Sequence, residues 1–145
     1  MGMFSSMQIN TSGLNLERLK LDVISSNITN ANTTRTPDGG PYLKKTVTFE
    51  ESIKRQQSYF TGLPAKNQSF GVRSTGIVED EENIKMVFEP DHPDANEEGY
   101  VAYPNVDMAD EMIDLMTTMR AYDANVTAMN ASKAMLNKAL QIASN

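Results

Sequence analysis

The chain has 145 residues, 39% of them hydrophobic and 22% charged, with a net charge of −6 and no cysteine. One domain with long extensions fits that length. Disulfides, thiolate metal sites and cysteine nucleophiles are excluded, and an acidic chain without a basic run argues against nucleic acid or an anionic membrane as partner.

No stretch nears ~18 apolar residues, so none is expected to span a bilayer. The N-terminus shows neither the basic n-region nor the apolar h-region of a cleaved secretory signal. Residues 2–31 are the first helical candidate. Met7, Leu14, Leu21 and Ile28 are spaced by seven, with Met3, Ile24 and Ala31 beside them. Gly13 and the Ser, Thr and Asn residues before it predict a frayed start, with firm helix from about Ser12 to Asn30. Asn27, Asn30, Asn32, Thr33 and Thr34 suit a helix end, because their side chains bond nearby backbone.

The middle, residues 33–106, reads as a small β-rich module. Asp38, Gly39, Gly40 and Pro41 mark a loop. Lys44 to Phe49 alternates loosely and predicts a strand. Glu50 to Phe60 is polar with a weak helical stripe (Ile53, Gln57, Phe60) and is expected as loop or short helix. Thr61 to Pro64 forms a break. From Ser69 the period is two: Phe70, Val72, Ser74, Gly76 and Val78, then Ile84, Met86 and Phe88, separated by the polar turn Glu79–Asn83. This predicts a β-hairpin, with Gly99 to Tyr103 as a third strand. A module of roughly 70 residues buries little apolar area alone.

Asp107 to Ala143 is the second helical candidate. It has no Gly or Pro, and strong helix formers dominate it. Pro104 precedes it, Asp107 is the expected N-cap, and acidic residues crowd its first turns while Lys133 and Lys138 lie near its end, complementing the macrodipole. Met112, Met119, Val126 and Leu140 fall on one heptad position, with Lys133 as the polar break. Met108, Leu115, Tyr122, Met129, Leu136 and Ala143 fall on the other. This is an a/d seam over about five heptads, the pattern of a helix that packs along its length against another. At ~1.5 Å per residue it would run roughly 54 Å, long against a typical helix of about 11–12 residues. The expected class is α+β: two long terminal amphipathic helices (1–32 and 107–145) forming a coiled-coil-like layer, with the module between them. Ten methionines suit irregular partner surfaces, though Met also fills ordinary cores.

Candidate chemistry is sparse. In Glu89–Gly99, the residues Asp94, Asn96, Glu98 and Gly99 fit the first half of a calcium loop. Its twelfth position would be Asn105 rather than a bidentate Glu, so a solvated acidic loop shaped by Pro90 and Pro93 is the favoured reading. His92, the only histidine, sits beside no Ser or Cys nucleophile. The glycines do not form a phosphate loop. No catalytic, cofactor or metal site is expected. Arg120 has two readings: a pair with an acidic residue of a neighbouring chain, or one within the helix with Asp114 or Asp123. Two functions remain: a self-assembling structural protein, and a soluble β-rich binding module with an acidic, calcium-dependent loop and a helical stalk.

Leu21-Asp22-Val23-Ile24-Ser25-Ser26-Asn27-Ile28, followed by Asn30-Ala31-Asn32-Thr33, resembles the N-terminal signature of bacterial flagellar rod and hook proteins. Ser26 stands where that family more often has Asn. Asp91–Ala95, Gly99–Val101, Pro104–Val106, Glu111-Met112, Arg120–Tyr122 and Ala124–Val126 resemble the proximal-rod branch of the same family. The resemblance covers nearly the whole chain. It implies a non-enzymatic basal-body subunit, exported through the flagellar type III apparatus without cleavage. The terminal helices would form the inner layer of a hollow rod. The implied partners are itself, other proximal and distal rod proteins and the adaptor at the membrane ring. The seam residues expected to carry assembly are Leu14, Leu21, Ile24 and Ile28 in the first helix, and Met112, Leu115, Met119, Tyr122, Val126, Met129, Leu136 and Leu140 in the last. A charge at Leu21 or Val126 should block assembly.

Overall fold

Both terminal candidates form helices. The computed structural model describes residues 3–56 and 66–143, in the order α1 (Met3–Thr29), β1 (Lys44–Gln56), β2 (Lys66–Asp80), β3 (Lys85–Phe88), β4 (Tyr100–Tyr103) and α2 (Met108–Ala143). The class is α+β.

α1 begins at Met3, well before the expected firm start. Its early hydroxyls do not disrupt it, because they turn back onto the helix: Thr11 Oγ1 donates to the Met7 carbonyl at 2.8 Å, and Ser12 Oγ donates to the Ile9 carbonyl at 2.7 Å. It ends in the Asn/Thr cluster, where Asn30 Nδ2 donates to the Ser26 carbonyl at 2.9 Å. α2 starts where its N-cap predicts. Asp107 Oδ1 accepts from the Ala109 amide at 2.9 Å and from the Asp110 amide at 3.5 Å, and these two bonds hold its carboxyl below the usual range.

The strands depart from expectation in two ways. Glu50–Gln56 is neither loop nor helix but the second half of β1; Gln57–Phe60 and the break at Thr61–Pro64 lie outside the described residues. The expected hairpin of β2 with β3 does not form. β2 pairs with β1, and β3 pairs antiparallel with β4, with Val87 opposite Val101 and Phe88 opposite Tyr100. The acidic turn is present, with Asn83 in the left-handed region at φ 61° and the Glu82 amide donating to Asp80 Oδ1. It leads β2 out of one sheet and β3 into the other.

The chain forms two compact units. One comprises Met1–Arg18, Phe49–Thr75 and Met119–Asn145; the other comprises Leu19–Thr48 and Gly76–Thr118. In the first, β2 lies against α1. Ser12 Oγ accepts from the Val72 amide at 3.1 Å. Gly71, buried and at φ +104°, allows this approach, since a Cβ there would sit 2.0 Å from Ser12 Oγ. Thr11 meets Met129, and Gly13 meets Asn125, so α1 and α2 run antiparallel here. In the second unit, Val23 and Ile24 of α1, Tyr42, Val47 of β1, Val101 of β4 and Val106 are buried. Full burial of a side chain such as Val101 is worth about 1.5–3 kcal/mol. The helix ends and the β segments thus build this core jointly.

Candidate assembly surface

Along α2, one line of less exposed positions runs through Glu111, Leu115, Thr118, Tyr122, Asn125, Met129, Ser132 and Leu136, with Ala121 and Val126 half-buried beside it. The steps alternate four and three, as an a/d seam requires. Leu115, Tyr122, Met129 and Leu136 were expected on this face and are half-buried there. The alternate position is filled by Glu111, Thr118, Asn125 and Ser132, which are polar. Met112, Met119 and Leu140, expected at that position, are instead 51%, 52% and 61% exposed; Val126 is half-buried.

α1 shows the same shift of phase. Its buried positions are Leu16, Val23, Ile24 and Asn27, while Leu14, Leu21 and Ile28 are half-buried. Of the expected seam in this helix, only Ile24 is a core residue. Two apolar faces therefore coexist on α2. One is half-covered by the chain itself. The other displays Met108, Met112, Ile113, Met116 and Met119, each between 41% and 61% exposed. Such a run of large apolar side chains within twelve residues is the kind of patch that marks a protein–protein contact. Arg120 is exposed and forms no ion pair with a described residue.

Sequence reasoning missed the polar centre of the second unit. Asn27 is 1% exposed and uses all four of its hydrogen-bonding positions. Nδ2 donates to the Lys45 carbonyl at 2.9 Å and to Glu111 Oε2 at 3.1 Å. Oδ1 accepts from the Tyr42 hydroxyl at 2.9 Å and from the Lys45 amide at 3.0 Å. Glu111, also 1% exposed, holds the Lys44 ammonium 2.8 Å from Oε1. That hydrogen bond, aided by the charges of Glu111, Asp114 and Asp110, raises the Lys44 pKa above 10.5 against the opposing pull of burial. Asn105 adds a second tie: Oδ1 accepts from the Lys44 amide, and Nδ2 donates to the carbonyls of Asp80 and Glu82. The one available signal was spacing. Asn27 follows Leu16 and Val23 by eleven and four residues, so it shares their helix face.

A polar residue in an apolar seam commonly fixes register at some cost in stability. Asn27 bonds both main-chain groups of Lys45, so it can be satisfied in one alignment of α1 against β1. Glu111 extends that constraint to the first turn of α2. The network is a positioning device rather than a reacting centre.

The acidic loop is built for shape. Asn96 Oδ1 accepts from the Glu98 and Tyr100 amides, and Asp94 accepts from Thr34 Oγ1 at 2.9 Å while facing Arg35 at 3.6 Å. Two of the residues that would coordinate calcium are thus engaged within the protein. His92 Nδ1 accepts from the Asp94 amide, and its ring meets Tyr103 edge-on. Among the described residues, no cluster of three or more His, Asp or Glu is placed to hold a metal ion. No described helix is long and apolar enough to cross a membrane.

Comparison with known proteins accounts for this architecture. Residues 7–35 match the family described as flagella basal body rod protein, and residues 97–142 match the C-terminal family of flagellar basal body rod FlgEFG proteins. The flagellar basal-body rod protein FlgC of Borreliella burgdorferi is 40% identical, covering 98% of each chain. That of Bacillus subtilis is 42% identical over 96% of this chain and 97% of its own. The Escherichia coli protein of the same name is 34% identical over 98% of both. With identities of this size sustained from end to end, the chain belongs to the FlgC family of flagellar basal-body rod proteins.

Proposed function

We propose that this chain is a structural subunit of the proximal rod, polymerising through its terminal helices into a hollow helical rod that transmits torque and carries the export channel. The observation that carries the reading is the uncovered apolar face of α2, Met108 to Met119, in a chain whose relatives are named as rod proteins. Contacts between unlike surfaces of successive subunits cover such a face and, where they do not close into a ring, give an open helical assembly. Residues 1–32 and 107–145 form the inner layer, and residues 33–106 lie outside it. Leu14, Leu21, Ile28, Met112, Met119, Val126 and Leu140 meet neighbours. Ile24, Leu115, Tyr122, Met129 and Leu136 hold the helices in shape for that contact. Methionine on the open face lets one surface fit several unlike neighbours.

The partners are further copies, the other proximal and distal rod proteins, the adaptor at the membrane ring and the type III export apparatus. The subunit works in the basal body, within the periplasm, and travels there without a cleaved signal. Mass spectrometry of purified hook–basal bodies is the test. The chain is expected in the rod fraction; finding it only in the cytosol or the medium, beside intact rods, overturns the proposal.

A further inference from the structure

The two compact units differ in charge. The unit of Leu19–Thr48 and Gly76–Thr118 has five Lys or Arg against fifteen Asp or Glu, a net −10; the other has eight against four, a net +4. The acidic unit also carries an open apolar sheet face. Met86 lies opposite Ala102, and Phe88 opposite Tyr100. Side chains alternate along a strand, so these four share one face, and Lys85, Val87, Val101 and Tyr103 share the other. The second face reaches the core at Val101, which is 0% exposed, while Val87 on the same face is 39% exposed. The first is uncovered: Met86 is 55%, Phe88 60% and Tyr100 40% exposed. The Phe88 and Tyr100 rings meet edge-on, with centroids 5.3 Å apart. Gly99 lies against Phe88, and the exposed Glu97 and Glu98 immediately precede it. The result is an apolar platform with an acidic rim. An apolar sheet face is ordinarily covered by another layer.

The basic unit carries an element of complementary character. Near the end of α2, Met135, Lys138 and Ile142 fall at intervals of three and four, hence on one helix face. Met135 is 58% and Ile142 78% exposed, and Lys138 is exposed between them. We propose that the open face of β3–β4 receives the last turns of α2 from a second copy of this chain. Met135 and Ile142 rest on Met86, Phe88 and Tyr100, and Lys138 meets Glu97 and Glu98. Each copy then offers one donor helix and one acceptor sheet. The contact is heterologous and propagates, with opposite charge on its two sides to steer and orient it. It extends the rod reading by naming two surfaces that meet.

The test uses the purified full chain in sedimentation velocity, at about 0.01 M and about 0.15 M salt, where screening lengths are ~30 Å and ~8 Å. The native chain is expected to self-associate at low salt and more weakly at high salt. Glu97→Lys with Glu98→Lys, and separately Lys138→Glu, should each weaken association by about tenfold or more, because like charges then face each other. An equimolar mixture of the two variants should recover it. Ile142→Asp should also abolish association, with circular dichroism unchanged. A native chain that stays monomeric at both salts, variants that associate like the native, or a mixture that fails to recover would each overturn the proposal. These outcomes are read in solution, so their failure leaves the rod assignment to be judged on basal bodies.

Discussion

Asn27→Ala removes the centre of the buried network without touching the open face of α2. It strips the Lys45 amide and carbonyl, the Tyr42 hydroxyl and Glu111 Oε2 of a partner each. An orphaned buried polar group costs about 1–3 kcal/mol. Tyr42 retains Ser26 Oγ at 3.3 Å, and the half-buried Lys45 leaves water some access to its backbone. Glu111 Oε2 then bears a full penalty and the Lys45 backbone about 1 kcal/mol more, which sets the loss at about 2–4 kcal/mol. That is a large share of a domain stability of about 5–15 kcal/mol. Urea unfolding followed by circular dichroism measures it. With a slope of about 1–3 kcal/mol/M, a loss near 3 kcal/mol lowers the midpoint by roughly 1–3 M. Ser25→Ala, exposed on the same helix, is the control and should stay within about 0.5 kcal/mol of native. Asn27→Ala combined with Glu111→Ala should cost less than the sum of the two, since both act on one network. If Asn27→Ala alone lies within about 0.5 kcal/mol of native, the network does not hold this unit together and the reasoning fails.

Gly71→Ala should destabilise the first unit by about 3 kcal/mol or more, combining a strained positive φ with a Cβ placed 2.0 Å from Ser12 Oγ. Thermal melts should show partial recovery when Ser12→Ala is added, and none would mean that backbone strain alone is responsible. Asp107, with its carboxyl pKa lowered by the N-cap bonds, contributes stability that is present above pH 3.8 and lost as pH falls through its folded value. Native and Asp107→Ala melting temperatures should therefore differ at neutral pH and converge in acid. Lys44 has the opposite sign: its raised pKa makes its contribution full below pH 10.5 and lost as pH rises through the folded value. Alkaline titration of stability should show a step above pH 10.5 that Lys44→Met lacks. Met112→Glu with Met119→Glu changes exposed residues only, so the isolated chain should unfold within about 0.5 kcal/mol of native. The same variant should fail to restore motility to cells lacking the chain; normal swimming would remove this face from assembly.

Periodicity made the two helices, their heptad repeat and the Asp107 cap legible in the sequence. It placed Leu115, Tyr122, Met129 and Leu136 on the face that the chain itself half-covers. The partner position escaped because apolar periodicity assigns a seam to apolar residues, whereas Glu111, Thr118, Asn125 and Ser132 fill it here. α2 displays apolar side chains on more than one face, and sequence alone does not say which face meets its own chain. Strand pairing escaped for a different reason. Alternation shows that β2 and β3 are strands, but the turn at Glu82–Asn83 is compatible with a hairpin or with a passage between sheets. The polar half of β1 looked unlike a strand because Phe49, Glu50, Glu51 and Ile53 are exposed, so no buried face imposes an alternating pattern. Asn27 was visible as a residue at a helix end; its role depends on Lys45 and Glu111, which lie far away in sequence.

Electron microscopy of basal bodies from cells deleted for this chain, with and without a plasmid copy, decides whether the rod depends on it. Rods and everything distal to them should disappear on deletion and return with the copy. Complete rods in the deleted cells would contradict that dependence.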